Sequence, residues 1–141
     1  MKIAIGSDHK GFIYKEQLIK LFPRIEWINV GCESEVYSDF PLYVKKVVAQ
    51  IYNEKVEKGI LLCGSGIGMT IAANRFKGIY AALAWNPESA KLSKQHNNSN
   101  ILVIPTDFVS CSMAQEMIKV WLEAEFLGAR YQERITMLDT F

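Results

Sequence analysis

Five short apolar runs alternate with longer amphipathic stretches along the chain, and this alternation limits the possible folds more than any other feature. The short runs have the length and composition of buried strands, and the longer stretches repeat apolar residues at helical intervals. We predict strands over 2–6, 26–30, 59–63, 79–84 and 100–104, and helices over 12–22, 41–55, 87–96, 112–127 and about 130–139. Because the connections are long enough for parallel pairing, the pattern predicts an α/β fold, a doubly wound five-stranded parallel sheet with helices on both faces (Rossmann-like). Ligands of such sheets bind beyond the carboxyl ends of the strands.

Local signals predict several helix boundaries. Pro41 and Pro87 stand where a first helical turn favours proline, and Asn86 precedes Pro87 as a cap. Gly128 is expected to end the helix over 112–127.

The composition indicates a single domain over 1–141. A chain of 141 residues can bury roughly 68–70% of its unfolded surface. Its 16 basic residues nearly balance its 15 acidic ones, so neither nucleic acid nor a membrane is indicated as a partner. Three widely spaced cysteines without a paired motif indicate reduced thiols and no structural zinc, and no signal sequence is seen. We therefore expect a cytoplasmic protein.

The most informative stretch leads from a predicted strand into a glycine-rich turn and then a helix, Cys63-Gly64-Ser65-Gly66-Ile67-Gly68-Met69-Thr70. Glycines at alternate positions let backbone amides approach a ligand closely, and the helix N-terminus adds positive potential. The turn therefore predicts an anion site, for a phosphate or for an enediolate. Met69 stands where a dinucleotide fingerprint needs glycine and where a cysteine-phosphatase loop needs arginine, and the Gly-Lys-Ser/Thr of a nucleotide P-loop is absent.

Cys63 ends the predicted strand in front of these amides. A free thiol has a pKa of about 8.5, and amide donors with a helix N-terminus can lower it by roughly one unit or more. We expect a thiolate that can take a proton from a carbon next to a carbonyl group. The alternative, a small buried cysteine that serves only packing, stays open at this point.

Three further groups of polar residues are candidates for ligand binding. Asp8 and His9 follow the first strand, where Asp8 could cap a helix and His9 could donate to a phosphate or a sugar hydroxyl. His96 lies in a polar turn at the end of a predicted helix, a position that the helix dipole favours. Arg130 and Arg134 share one helix face and suit a phosphate, although such pairs are also common on solvated faces.

Five motifs in this order resemble ribose-5-phosphate isomerase type B, a family that includes relatives acting on allose 6-phosphate and subunits of galactose-6-phosphate isomerase. The motifs are GSDHKG at 6–11, SDFP at 38–41, LCGSGIGMTIAAN at 62–74, SKQHNNSNIL at 93–102 and GARYQERI at 128–135. Each motif alone is loose, but together they span almost the whole chain with the spacings of the family.

The resemblance implies interconversion of ribose 5-phosphate and ribulose 5-phosphate through a cis-enediol, without a metal or an organic cofactor. Cys63 matches the base, Ser65 the group that passes a hydroxyl proton between the two oxygens, and His96 the group that opens the furanose ring. The resemblance also implies substrate contacts by Asp8, His9, Gly64, Ser65, Gly66, Ile67, Gly68, Asn97, Arg130 and Arg134. It implies a homodimer or homotetramer whose pockets draw on two subunits. We expect each of these groups at a sheet edge or beside it, and which subunit supplies His96 and the arginines stays open.

Four positions depart from the pattern of the family. Asp107 stands where some members have a phosphate-binding arginine, Phe40 where tyrosine is common, Tyr80 where arginine is usual, and Tyr131 where histidine is common. These departures leave two alternatives open. One is a hexose-6-phosphate isomerase acting on allose or galactose 6-phosphate, and the other is a non-catalytic sensor of sugar phosphates.

Overall fold

A computed structural model describes residues 1–141 as five strands and six helices. The elements are β1 (Lys2–Ser7), α1 (Phe12–Leu21), β2 (Glu26–Asn29), α2 (Phe40–Tyr52), β3 (Lys58–Cys63), α3 (Ile67–Ala73), β4 (Ala81–Leu83), α4 (Pro87–Asn97), β5 (Ile101–Pro105), α5 (Cys111–Glu123) and α6 (Arg130–Leu138). All strand pairs are parallel, in the order β2-β1-β3-β5-β4. The predicted five-stranded parallel sheet is confirmed.

Two apolar cores cover the two faces of the sheet. Successive residues of a strand point to opposite faces, so Ile60 and Leu62 belong to one core while Leu61 belongs to the other. The first core packs the sheet against α1, α4 and α5, with Trp121 as its largest side chain, and the second packs it against α2 and α3. The strands that are buried on both faces therefore read as continuous apolar runs.

The predicted start signals of two helices are confirmed. Pro41 lies in the first turn of α2. Asn86 caps α4, because its side chain accepts a hydrogen bond from the Ser89 amide at 2.7 Å while the Ser89 hydroxyl accepts from the Asn86 amide. Such reciprocal pairs satisfy donors that the first helical turn leaves without partners.

The end predicted for α5 is wrong. This helix ends at Glu123, because Ala124 has an extended conformation, and the chain continues to Gly128 without helical structure. In this segment the Leu127 amide donates to the Gln95 carbonyl at 3.0 Å. A tertiary hydrogen bond to α4 thus takes the place of the helical hydrogen bond that the apolar pattern predicts for Leu127. No helix of the structure has the length and apolar character needed to cross a membrane.

Candidate active site

Cys63 lies at the carboxyl edge of the sheet, where three central strands end side by side. Cys63 pairs with Pro105 of β5, and Leu62 pairs with Ser7 of β1. The side chain is buried, with 6% of its surface exposed, and it packs at the end of the second core. The loops that follow β1, β3 and β5 therefore meet around its sulfur.

The glycine turn directs an amide at that sulfur. The Gly66 amide donates to Cys63 Sγ at 3.2 Å, and Gly66 has a φ of 74°, a left-handed conformation that favours glycine. A methyl group at Gly66 would also lie 2.6 Å from Leu83 Cδ1. In the same turn the Ile67 amide donates to Ser65 Oγ at 3.3 Å. Ser65 is therefore held beside the amides of the turn.

The pKa of the Cys63 thiol is raised, so the expected fall in this pKa is wrong. Burial is the largest cause, because it disfavours the charged thiolate. The Gly66 and Met69 amides lower the pKa as expected, but the carboxylates of Asp8 and Asp107 raise it. The isolated chain therefore holds Cys63 mainly as a neutral thiol at neutral pH.

Asp8 closes the turn between β1 and α1. Its Oδ1 accepts from the Lys10 amide at 3.0 Å and from the Gly11 amide at 3.3 Å, and the side chain is 7% exposed. Burial raises the pKa of Asp8, and the two amides oppose this shift. Gly11 is the N-cap residue of α1, so Asp8 fixes the turn before the helix and does not cap the helix itself.

His9 is fixed by a reciprocal pair of hydrogen bonds with Ser38. The His9 amide donates to Ser38 Oγ, and the Ser38 amide donates to His9 Nδ1, both at 3.2 Å. Because Nδ1 accepts the hydrogen bond from the Ser38 amide, a neutral His9 carries its own proton on Nε2 and can donate from there to a ligand. Ser38 was not among the predicted site residues, although it begins the SDFP motif, because its pairing with His9 joins positions 29 residues apart.

A cavity of about 580 Å³ opens beside this pair. It is lined by Asp8, His9, Tyr37, Ser38, Asp39, Phe40, Pro41 and Leu42. The Phe40 ring covers the glycine turn so closely that a methyl group at Gly68 would lie 2.6 Å from Phe40 Cζ. The loop before α2 and the turn after β3 thus form one surface.

Asp107 lies over the first residue of the turn. Its amide donates to the Gly64 carbonyl at 3.0 Å, and a methyl group at Gly64 would lie 2.7 Å from Asp107 Oδ2. That methyl group would also lie 3.6 Å from Lys10 Cγ. An acidic and a basic side chain therefore border the turn from opposite loops.

A second cluster joins His96 to the two arginines. The His96 ring stacks on the Tyr131 ring with 4.4 Å between centroids and 5° between planes. Arg130 Nη2 donates to the Tyr131 hydroxyl at 3.1 Å, and Arg134 Cζ lies 5.7 Å from the centre of that ring. Asn97 is exposed beside them, at the end of α4. An imidazole and two guanidinium groups in this arrangement suit a phosphate ester.

The two clusters lie at opposite edges of the sheet, with His96, Asn97, Arg130 and Arg134 at the edge away from Cys63. Helix α4 begins at the carboxyl edge and runs back, and His96 lies just before β5, whose first residue pairs with Gly59 near the start of β3. Cys63 lies four residue steps after Gly59 along β3, which is roughly 13 Å at about 3.3 Å per residue. One chain therefore does not bring its His96 to its own Cys63.

No group of three or more His, Cys, Asp or Glu side chains in the structure is arranged to hold a metal ion.

Comparisons with known proteins give one consistent family. A sequence model described as Ribose/Galactose Isomerase matches residues 3–138. A putative sugar phosphate isomerase of Bacillus subtilis is 40% identical over 144 aligned residues, covering 100% of this chain and 97% of the relative. Ribose-5-phosphate isomerase B of Escherichia coli is 40% identical over 136 residues, covering 95% of this chain and 91% of the relative.

Solved structures agree with the sequence comparison. A ribose 5-phosphate isomerase of Thermotoga maritima superimposes with a TM-score of 0.97 at 43% identity, covering 99% of this chain and 98% of that one. Ribose-5-phosphate isomerase B of Mycoplasma genitalium, solved with bound ribulose-5-phosphate, gives a TM-score of 0.93 at 31% identity. The superposition covers 99% of this chain and 94% of that one.

Proposed function

The chain belongs to the ribose/galactose isomerase family, and from that premise we propose that it interconverts ribose 5-phosphate and ribulose 5-phosphate, with Cys63 as the base. The observation that carries the proposal is the position of Cys63 Sγ at the carboxyl edge, 3.2 Å from the Gly66 amide. At this position the Cys63 sulfur, which can take a proton, lies beside backbone amides, which can donate hydrogen bonds to an oxyanion. Both are needed for an aldose–ketose isomerisation.

In the proposed mechanism Cys63 takes the proton from C2 of the open-chain aldose. The electrons of that bond form the enediolate, whose negative oxygen accepts hydrogen bonds from amides of the turn between Gly64 and Gly68. Ser65 passes the hydroxyl proton between the oxygens on C1 and C2. Cys63 then returns its proton to C1, which completes the ketose without a metal or an organic cofactor.

The charges around Cys63 support a site that is shared between two copies. Burial and the carboxylates of Asp8 and Asp107 disfavour the thiolate, so additional positive charge near Cys63 would favour it. The cluster around His96 carries two guanidinium groups and lies at the opposite edge of its own chain. A second copy that brings this cluster to Cys63 would supply that charge together with the phosphate contacts.

The proposed active unit is therefore a homodimer, or a homotetramer built from such dimers, with each site drawn from two copies. One copy gives the turn after β3 with Asp8 and His9. The other gives His96 and Asn97, which act on the furanose ring, and the two arginines, which hold the phosphate. Binding energy at the phosphate then orients the reactive carbons against Cys63.

A second candidate substrate class is a hexose 6-phosphate, allose or galactose 6-phosphate. Two observations favour it. Phe40 has no hydroxyl to offer the sugar, and the carboxylate of Asp107 over Gly64 leaves the phosphate with fewer cationic contacts on this side. The missing hydroxyl of Phe40 changes the hydrogen bonds that select the sugar, and Asp107 changes the contacts with its phosphate.

One domain over 1–141 and a cytoplasmic location complete the proposal. The family model extends over nearly this whole range. The three cysteines are widely spaced and form no paired motif, which favours a compartment where thiols stay reduced.

A coupled assay with ribose 5-phosphate, allose 6-phosphate and galactose 6-phosphate tests the proposal. We expect the highest kcat/KM for ribose 5-phosphate and a loss of about 10²- to 10⁴-fold in Cys63→Ala. Cys111→Ala, which removes another free thiol at the start of α5, is the control and should keep its activity. Normal turnover in Cys63→Ala would exclude Cys63 as the base, and no turnover of any sugar by the wild type would indicate a sensor.

A further inference from the structure

We propose that Tyr131 is a positioning residue that holds His96, Arg130 and Arg134 as one preorganised group. The inference rests on the proposed function, since that function gives these three residues their contacts with the substrate. Tyr131 itself lies between them. Its ring and its hydroxyl contact different members of the group.

The contacts of Tyr131 reach both helices of the cluster. The His96 ring, from α4, lies parallel to the Tyr131 ring at 4.4 Å. Arg130 Nη2 donates to the Tyr131 hydroxyl at 3.1 Å, and its Cζ lies 5.1 Å from the ring centre. Arg134 Cζ lies 5.7 Å from the same centre. One side chain thus combines an aromatic stack, a hydrogen bond and two cation–π contacts.

Little else fixes the first half of α6. Ile135 is the only buried residue of this nine-residue helix. The segment before it is tied to α4 by the Leu127 amide, and the far end is tied by Tyr80, whose hydroxyl donates to the Asp139 carboxylate at 2.6 Å. Between these two ties the buried side chain of Ile135 holds the second half of α6, and the stack on His96 joins its first half to α4. Removing the Tyr131 ring would therefore free both arginines and His96 together.

This arrangement matters for a site assembled from two copies. Long arginine side chains have many rotamers, and a group that must enter a neighbouring pocket binds more tightly when its geometry is fixed beforehand. The Tyr131 hydroxyl limits the rotamers of the Arg130 guanidinium, and the Tyr131 ring limits the orientation of the His96 imidazole. The two functions of the tyrosine can therefore be separated by substitution.

Tyr131→Phe keeps the ring and removes the hydroxyl. We expect KM for ribose 5-phosphate to rise about two- to tenfold, the range for one lost hydrogen bond, with kcat nearly unchanged. Tyr131→Leu removes the ring as well, and we expect a KM increase of about tenfold or more together with a fall in kcat, because His96 is no longer held. Tyr52→Phe, which removes a hydroxyl bonded to the Lys77 carbonyl, is the matched control and should change neither constant.

NMR of the His96 ring protons tests the same contact without substrate. The chain has two histidines, so His9→Gln assigns the signals. We expect the upfield ring-current shift of the His96 protons in the wild type and in Tyr131→Phe, and its loss in Tyr131→Leu. Circular dichroism verifies that each variant is folded.

Unchanged kinetic constants in Tyr131→Leu, or His96 protons that do not respond to this substitution, would overturn the proposal. If the wild type turned over no sugar phosphate, the proposed function would fail. The NMR comparison would then still decide whether Tyr131 holds His96.

Discussion

Mixing two inactive variants, Cys63→Ala and His96→Ala, should restore activity, because the structure places these residues at opposite edges of the sheet. A span of roughly 13 Å along β3 separates the two edges within one chain. If each site takes Cys63 from one copy and His96 from the other, a hybrid dimer contains one intact site and one site that lacks both groups. Neither parent contains an intact site.

The size of the recovery follows from this geometry. Equal amounts that are unfolded together and refolded give the two parents and the hybrid in a ratio of about 1:1:2, so about one quarter of all sites are intact. If each parent retains at most about one hundredth of wild-type activity, the mixture should exceed both parents by at least about 25-fold. The assay is the coupled assay with ribose 5-phosphate, on mixtures prepared at several ratios.

Cys63→Ala mixed with Ser65→Ala is the control. Cys63 ends β3 and Ser65 lies in the turn that follows in the same copy, so no hybrid has an intact site and activity should stay at the level of the parents. A mixture of Cys63→Ala and His96→Ala that stays equally inactive, although size-exclusion chromatography shows hybrids, would refute the shared site.

Three further predictions concern charge and backbone conformation. Burial raises the pKa of Cys63 most, and acidic neighbours such as Asp107 raise it further, so Asp107→Asn should lower it. The rising limb of the plot of kcat/KM against pH should then move to lower pH. A limb that does not move would contradict this. Ala129 has a φ of 48° and a ψ of −125°, which suit glycine, so Ala129→Gly should raise the free energy of unfolding in urea by about 1 kcal/mol. Gly66→Ala should lower the free energy of unfolding by about 1–3 kcal/mol more than Gly78→Ala. Both glycines have a positive φ, but only Gly66 lacks room for a methyl group. Equal urea midpoints of the two variants would show that packing at Gly66 is loose.

The sequence predicts the class of fold because each element has a local signature. The central strands are apolar on both faces, and Asn86 with Pro87 marks the start of α4. The end of α5 has no such signature. Its apolar pattern continues past Glu123, and only the hydrogen bond from Leu127 to Gln95 shows why the chain leaves the helix.

For the site, as for the fold, the sequence predicts the local features and not the tertiary ones. Cys63 was correctly placed at a strand end in front of the Gly66 amide, since both features are local. The rise in its pKa depends on Asp8 and Asp107, which reach it from other loops, and on burial between two layers. Neither effect can be calculated from the residues next to Cys63.

The edge at which His96 lies is set by the topology of the chain. A helix that returns antiparallel to its strands carries its C-terminal residues to the amino edge, whatever their chemistry. The motif around His96 therefore identifies a function but not an edge. The role of Tyr131 is likewise tertiary, since its partner His96 lies on a different helix.

Isomerisation of ribose 5-phosphate in deuterium oxide tests most directly whether a proton moves through Cys63. A thiol exchanges its proton with solvent, so we expect deuterium at C1 of ribulose 5-phosphate, seen by NMR in product collected early, and no such product from Cys63→Ala. Product formed by Cys63→Ala at the wild-type rate, with the same deuterium content at C1, would show that another base moves the proton and would contradict the mechanism.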